Sequence, residues 1–61
     1  MIYKFNSEDG EKNLEVFLAD YQKSKVVLSI KGNGIQYISL DKNNIYDLIG
    51  ALHTLKSKMN G

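Results

Sequence analysis

The chain has 61 residues, with eight lysines, seven acidic residues and a formal net charge of +1 at pH 7. A chain of this length holds one domain, and such small domains commonly need disulfides, a metal or oligomerisation for stability. It has no cysteine and one histidine, so disulfides are excluded and a zinc site, which takes three or four nitrogen or sulfur ligands, is not expected. We therefore expect a homodimer with no metal and no cofactor.

The basic residues are all lysine, so bidentate recognition of phosphate or guanine by arginine has no candidate. No apolar run approaches the roughly 18 residues that a membrane-spanning helix needs. Met1 leads into an alternating segment. A secretory signal peptide, which begins with a basic region followed by an apolar one, is therefore not expected. The abundance of Lys, Asn and Ile is typical of an AT-rich coding sequence. We expect a cytoplasmic location in a bacterial or phage-infected bacterial cell.

The first forty residues predict a meander of four antiparallel strands. The strands are expected at about residues 1–7, 11–21, 25–31 and 35–40. Asp9-Gly10, after an alternating segment, is a strong hairpin signal. Residues 11–21 also fit helical spacing, which leaves a β-α-β-β-α order as the alternative.

Three loops set the predicted register of this sheet. A two-residue loop at Asp9-Gly10 places Phe5 opposite Leu14. A loop at residues 22–24 places Leu18 opposite Leu28. A three-residue loop at residues 32–34, with Gly34 in the left-handed conformation, places Leu28 opposite Ile38.

This register makes one side of the sheet, which we call the inner face, entirely apolar or aromatic. It comprises Met1, Tyr3, Phe5, Leu14, Val16, Leu18, Val26, Leu28, Ile30, Ile38 and Leu40. A one-residue slip would turn all of these side chains to the other side, so the pattern supports the register.

The last third of the chain predicts a helix over about residues 42–58. Asp41 is a good N-cap, because its carboxylate can accept from the free amides of the first turn. Apolar residues then recur at helical spacing. They form the apolar helix stripe: Ile45, Leu48, Ile49, Leu52, Leu55 and Met59. We expect this stripe to cover the inner face, which gives a single β-β-β-β-α domain over residues 1–61, of the α+β class in two layers.

The opposite side of the sheet, which we call the outer face, mixes aromatic and charged side chains. Lys4, Glu15 and Lys31 are predicted to alternate in charge across the strands, which stabilises neighbouring strands. The outer face is too apolar for a purely solvated surface and too polar for a core. Its predicted partner-binding residues are Ile2, Lys4, Phe17, Tyr21, Lys31 and Tyr37.

Three interpretations of the outer face stay open. Antiparallel sheets often leave one face to water. Aromatic residues with a few charges at the edge are also typical of protein interfaces. Alternatively, Phe17, Tyr21 and Tyr37 stack on bases while Lys4 and Lys31 meet phosphates, as in single-strand binders.

A second helical stripe, Tyr46, Gly50, His53 and Ser57, lies beside the apolar one. Gly50 leaves room for another backbone, so Tyr46, Gly50 and His53 are candidates for an oligomer contact between helices. The alternative is a solvated helix side. His53 has no Ser, Cys or acidic partner in its own turn, and acid–base catalysis needs such geometry. We predict that the protein is not an enzyme and has no catalytic residues.

The run Lys25–Ile30, then Ile38-Ser39-Leu40, then a helix with Leu48-Ile49 and Ala51-Leu52, resembles the positive-cofactor-four-like single-stranded DNA-binding fold. The resemblance covers roughly residues 11–58. It implies a strand meander followed by a helix, a dimer and binding of single-stranded DNA. The same plan also resembles small phage and mobile-element proteins, including inhibitors of host defence systems. These act by binding, without catalysis.

We therefore predict a small non-enzymatic binding or inhibitor protein of phage or mobile-element type. It would act by protein–protein contacts or ligand sequestration through the outer face, most simply toward a protein partner. The alternative function is a single-stranded nucleic-acid-binding module related to transcription or replication, which uses the same face.

Overall fold

The computed structural model describes residues 1–19, 21 and 23–61. Over these residues the chain forms strands β1 (Ile2–Asn6), β2 (Asn13–Leu18), β3 (Val26–Lys31) and β4 (Ile35–Leu40), followed by helix α1 (Lys42–Lys58). The strands pair antiparallel in sequence order. The predicted α+β class is confirmed, and the helical alternative for residues 11–21 is wrong because β2 occupies the middle of that segment.

The first hairpin has the predicted register and a longer loop. Phe5 pairs with Leu14, and the ladder extends to a hydrogen bond of 2.8 Å from the Ser7 amide to the Lys12 carbonyl. The loop therefore spans residues 8–11 instead of Asp9-Gly10 alone. Gly10 has a φ of +76°, a conformation that glycine adopts without steric cost. The loop gains one residue on each side of Asp9-Gly10, so the pairing register of the two strands is unchanged.

The Asp9 carboxylate organises this loop. It accepts hydrogen bonds from the Ser7 hydroxyl at 2.6 Å and from the Glu11 amide at 3.0 Å. These bonds favour the ionised form, with the Ser7 hydroxyl as the largest cause, and they lower the pKa of Asp9. The turn is thus ordered by its own side chains.

The register between β2 and β3 differs from the prediction by two residues. Leu18 pairs with Val26 and not with Leu28. β2 ends at Leu18, and the Ala19 amide donates to the Lys25 carbonyl at 3.1 Å, so the connection is longer than the predicted loop at residues 22–24. Two residues of the prediction, Asp20 in the strand and Gln22 in the loop, lie outside the described residues. Because the shift is even, every side chain keeps its predicted face.

The third hairpin confirms the predicted three-residue loop. Lys31 pairs with Ile35 and Leu28 with Ile38, and the Gly32 amide donates to the Gly34 carbonyl at 3.0 Å. The left-handed conformation predicted for Gly34 is wrong, since its φ is not positive. This pairing places Gln36 on the inner face opposite Ile30, so the prediction of an entirely apolar or aromatic inner face is wrong at this position.

Helix α1 begins at the predicted N-cap. The Asn44 amide donates to the Asp41 carboxylate at 2.9 Å, and the Asp41 amide donates to the Asn44 side-chain oxygen at 3.3 Å. This reciprocal capping box satisfies two amides at the helix start. Lys56 and Lys58 lie in the last turn, where positive charge opposes the negative end of the helix dipole.

Replacing Asp41 with alanine is expected to lower the free energy of unfolding by about 1 kcal/mol, because the first-turn amides lose their acceptor. Urea denaturation followed by circular dichroism measures this loss. The matched control is Asp47→Ala, which removes a helical carboxylate that makes no cap. Equal effects of the two substitutions would contradict the capping role.

The sheet and the helix leave their apolar surfaces largely uncovered. Among the described residues, no hydrophobic side chain is fully buried, and Phe5 on the inner face is 55% exposed. In the apolar helix stripe, Ile45 and Leu48 are half-buried, whereas every residue from Ile49 to Gly61 is exposed. The predicted cover of the inner face by the helix is therefore confined to the first turns of α1.

The short connection between β4 and α1 explains this limited cover. Only Asp41 separates Leu40 from Lys42, whereas connections between strands and helices usually span about two to six residues. A helix that begins so soon after an edge strand has no loop with which to reverse over the sheet. It leaves the sheet at the end of β4, and its contacts with the sheet lie mainly there.

Candidate functional site on the outer face of the sheet

One carboxylate on the outer face holds both of the predicted lysines. Lys4 lies directly opposite Glu15 on the neighbouring strand, and its Nζ is 3.4 Å from Glu15 Oε2. Lys31 was predicted to lie directly opposite Glu15 on the other neighbouring strand. This is wrong, because Ser29 takes that position. The Lys31 side chain reaches across diagonally, so that Nζ is 3.0 Å from Glu15 Oε1. The three charges meet, although the predicted row is displaced.

Glu15 is an unusually enclosed carboxylate for so small a chain. It is 8% exposed, and the lysine side chains lie over it. The hydrogen bond from Lys31 is the largest cause that lowers the pKa of Glu15, and Lys4 lowers it further, whereas desolvation acts in the opposite direction. Glu15 is therefore ionised at neutral pH and cancels one of the two lysine charges.

The Glu15→Gln variant is expected to lose part of the pH dependence of its free energy of unfolding. Because the folded-state pKa of Glu15 lies below its ordinary value of 4.5, its ion pairs stabilise the fold above that pH and are lost as the pH falls through the folded-state pKa. Urea midpoints measured between pH 6 and pH 3 should fall less steeply for the variant than for the native protein. Glu11→Gln is the control, because it removes an exposed carboxylate that takes no part in the ion pairs of Glu15, and its urea midpoints should fall as steeply as those of the native protein. Equal slopes for the native protein and Glu15→Gln would contradict the role of Glu15.

An aromatic groove lies beside this charge cluster. Three predicted residues, Phe17, Tyr21 and Tyr37, line one open groove of about 590 Å³. Tyr37 is 75% exposed and Phe17 is half-buried. Ile2 lies opposite Phe17 on β1. The structure thus places the predicted aromatic residues around one groove, next to the lysines at Glu15. Tyr21 is 99% exposed, so its ring packs against little of the sheet.

The remaining residues of the groove are small or aliphatic, and the sequence prediction did not select them. They are Ala19, Val27, Ser29 and Ser39. Ser29 is buried and separates Glu15 from Tyr37 in the cross-strand row. The alternation of side chains in β3 and β4 indicates these residues, because short side chains between aromatic ones on one face of a sheet leave a depression.

The candidate residues on the helix do not join the groove. Tyr46, Gly50 and His53 are exposed on α1, and space is open beside the Cα of Gly50. The Ser57 hydroxyl donates to the His53 carbonyl at 2.9 Å, so the contact of Ser57 is with the backbone of its own helix. Tyr46, Gly50 and His53 therefore form a surface separate from the groove on the outer face.

The described residues contain neither a metal-binding cluster nor a membrane-spanning helix. Across residues 1–19, 21 and 23–61, no three His, Asp or Glu side chains are grouped so as to hold a metal ion. No helix within the described part of the chain combines the length and apolar character needed to cross a membrane. Comparison with protein-family models, curated proteins and solved structures found no match to this chain.

Proposed function

We propose that this chain is a small non-catalytic binding protein that holds a partner protein on its outer face, as inhibitors of phage or mobile-element type do. The observation that carries the proposal is the groove between Phe17, Tyr21 and Tyr37, which adjoins a largely neutralised charge cluster. Exposed aromatic side chains beside a polar rim are typical of protein interfaces.

The charge cluster favours a protein partner over a nucleic acid. Affinity for nucleic acids comes largely from lysines and arginines that neutralise phosphates. On the outer face, Lys4 and Lys31 are both engaged by Glu15, which leaves one excess positive charge for the three groups. A phosphate chain would have to displace these ion pairs and would then lie close to the Glu15 carboxylate.

The shape of the groove suits an apolar side chain of the partner. Short side chains such as Ala19 and the buried Ser29 line it together with aromatic rings. Interfaces concentrate their binding energy in such anchors, which are surrounded by contacts that exclude water. The excess positive charge next to the groove favours a partner that carries a carboxylate beside its anchor.

The ionisable groups support a role without catalysis. A general base works best when its pKa lies near the operating pH, and the lysines shift the pKa of Glu15 away from neutrality. His53 is exposed on the helix, outside the groove. Neither group is placed to exchange a proton with a ligand in the groove.

Salt dependence distinguishes the proposed partner class from the alternative. The immobilised protein captures its partner from a host lysate at about 50 and about 200 mM salt, the range over which phosphate contacts weaken steeply. Anisotropy of a labelled single-stranded oligothymidylate is measured in parallel. We expect a protein complex that survives the higher salt and re-forms from purified components, and no oligonucleotide binding. Salt-sensitive oligonucleotide binding would favour the single-stranded nucleic-acid-binding module instead.

A further inference from the structure

The single chain exposes far more surface than a compact protein of its size. Its accessible area is 5750 Å², whereas a folded monomer of 6.9 kDa is expected to expose about 4000 Å². The excess is therefore about 1750 Å² for one chain. Its radius of gyration of 13.0 Å likewise exceeds the roughly 10.5 Å of a compact chain of this length.

Two apolar regions of the same chain contribute to this excess surface. One is the inner face, whose strand residues carry no formal charge. The other is the apolar helix stripe from Ile49 onward, where Leu52 is 57% exposed and Leu55 is 60% exposed. Exposed contiguous apolar patches of this kind mark interaction sites.

We propose that a second copy of the chain covers both regions at once. In a two-fold symmetric dimer, the apolar helix stripe of each copy lies on the inner face of the other, so the two sheets and two helices share one core. Such an interface is self-complementary, as two-fold symmetry requires. Among the described residues, the ion pairs lie at Glu15 on the outer face, so covering the inner face desolvates neither of them. Two lysines adjoin the covered surfaces, Lys12 beside Phe5 and Lys56 one turn after Leu52, and their long flexible chains carry the ammonium groups out to water.

The start of the helix favours a second copy over the chain's own sheet. Ile45 lines a groove of about 360 Å³ together with Leu18 and Val26 of the inner face. Asp41 and its capping box hold the direction in which the helix leaves. The residues from Ile49 onward then extend away from their own sheet, where the inner face of another copy can meet them.

The area agrees with an obligate dimer. If each copy buries its excess, the interface totals about 3500 Å², within the roughly 2000–5000 Å² of obligate homodimers. In this arrangement Tyr46, Gly50 and His53 lie on another side of the helix from Leu52 and Leu55. The sequence predicted those three residues as the oligomer contact, and the dimer proposed here leaves them outside its core.

The dimer also sets the number of partner sites, a consequence that rests on the proposed function. Because the two inner faces look toward each other across the shared core, the two outer faces point in opposite directions. One dimer thus presents two copies of the groove at Phe17 and Tyr37 and binds two partner molecules. The dimer itself does not depend on this consequence.

Light scattering and filtered nuclear Overhauser spectra test the dimer on the native chain. We expect a solution mass twice the 6.9 kDa of one chain. In a mixture of isotope-labelled and unlabelled chains, the Leu52 and Leu55 methyl groups should show intermolecular contacts to the Tyr3 and Phe5 rings. A mass of one chain overturns the proposal, and so does any larger mass without those intermolecular contacts. If the native chain is a dimer but captures no partner protein, only the proposed function is contradicted.

Discussion

Replacing Leu52 and Leu55 with alanine is expected to remove about 4–10 kcal/mol from the free energy of unfolding of the dimer. Truncation of a buried leucine to alanine typically costs about 2–5 kcal/mol, and both side chains would lie in the shared core. Small domains are stable by only about 5–15 kcal/mol. The double variant should therefore be largely unfolded at micromolar concentration, as seen by circular dichroism, and Leu55→Ala alone should remain measurable.

The same substitutions have little effect if the helix stays in solvent. Leu52 and Leu55 are exposed in the single chain, and surface substitutions usually change stability by less than about 0.5 kcal/mol. Alanine also keeps the helix propensity high. Thr54→Ala, on the opposite side of the helix, is the matched control and should be close to native. A native-like Leu55→Ala variant would contradict the shared core.

Concentration dependence adds a second measurement to this prediction. A chain that folds only with a second copy is stabilised by mass action, so its melting temperature rises with protein concentration. A helix that folded back over its own sheet would also bury Leu55, but its melting temperature would not change with concentration. The two arrangements are thereby separated in one set of melting curves.

The sequence predicted the faces of the sheet more reliably than the pairing of its strands. The hairpins around Gly10 and residues 32–34 have glycine-containing turns, and their registers are confirmed. The connection before Lys25 contains no glycine or proline, so nothing local set its length, and the predicted pairing of Leu18 was wrong by two residues. An even shift preserves alternation, which is why the inner and outer faces survived the error.

The position of the helix relative to the sheet could not be predicted from periodicity. Helical spacing identifies which side of α1 is apolar, and Asp41 marks where the helix begins. Neither feature says whether that side covers its own sheet or the sheet of another copy. The deciding feature is the connection between β4 and α1, which is a single residue long. Its effect on the direction of the helix is seen only in the three-dimensional structure.

The outer-face site was predicted in part. The aromatic residues and the lysines were selected from their shared face, and the structure places them side by side. The enclosure of Glu15 was not predicted, because it depends on the diagonal reach of Lys31. Ser29 was also not selected, since a short polar residue gives no signal on its own.

The Phe17→Ala, Tyr37→Ala double variant is expected to lose binding of the partner protein while it keeps its fold and its dimer. The two rings line the groove, and removal of central aromatic anchors commonly costs about 2 kcal/mol or more each in binding. The combined effect is a loss of affinity of at least about 800-fold. Isothermal titration with the purified partner measures it, and light scattering reports the dimer.

The cost of this double substitution to the fold should be small. Tyr37 is largely exposed and Phe17 is half-buried, so the loss of stability is about 1–2 kcal/mol, less than for a fully buried phenylalanine. Tyr46→Ala removes a similar exposed ring from the helix and should leave partner affinity unchanged. If the double variant unfolds, the outer face belongs to the core and the assignment of faces is wrong. If it folds and still binds with native affinity, the groove is not the partner site.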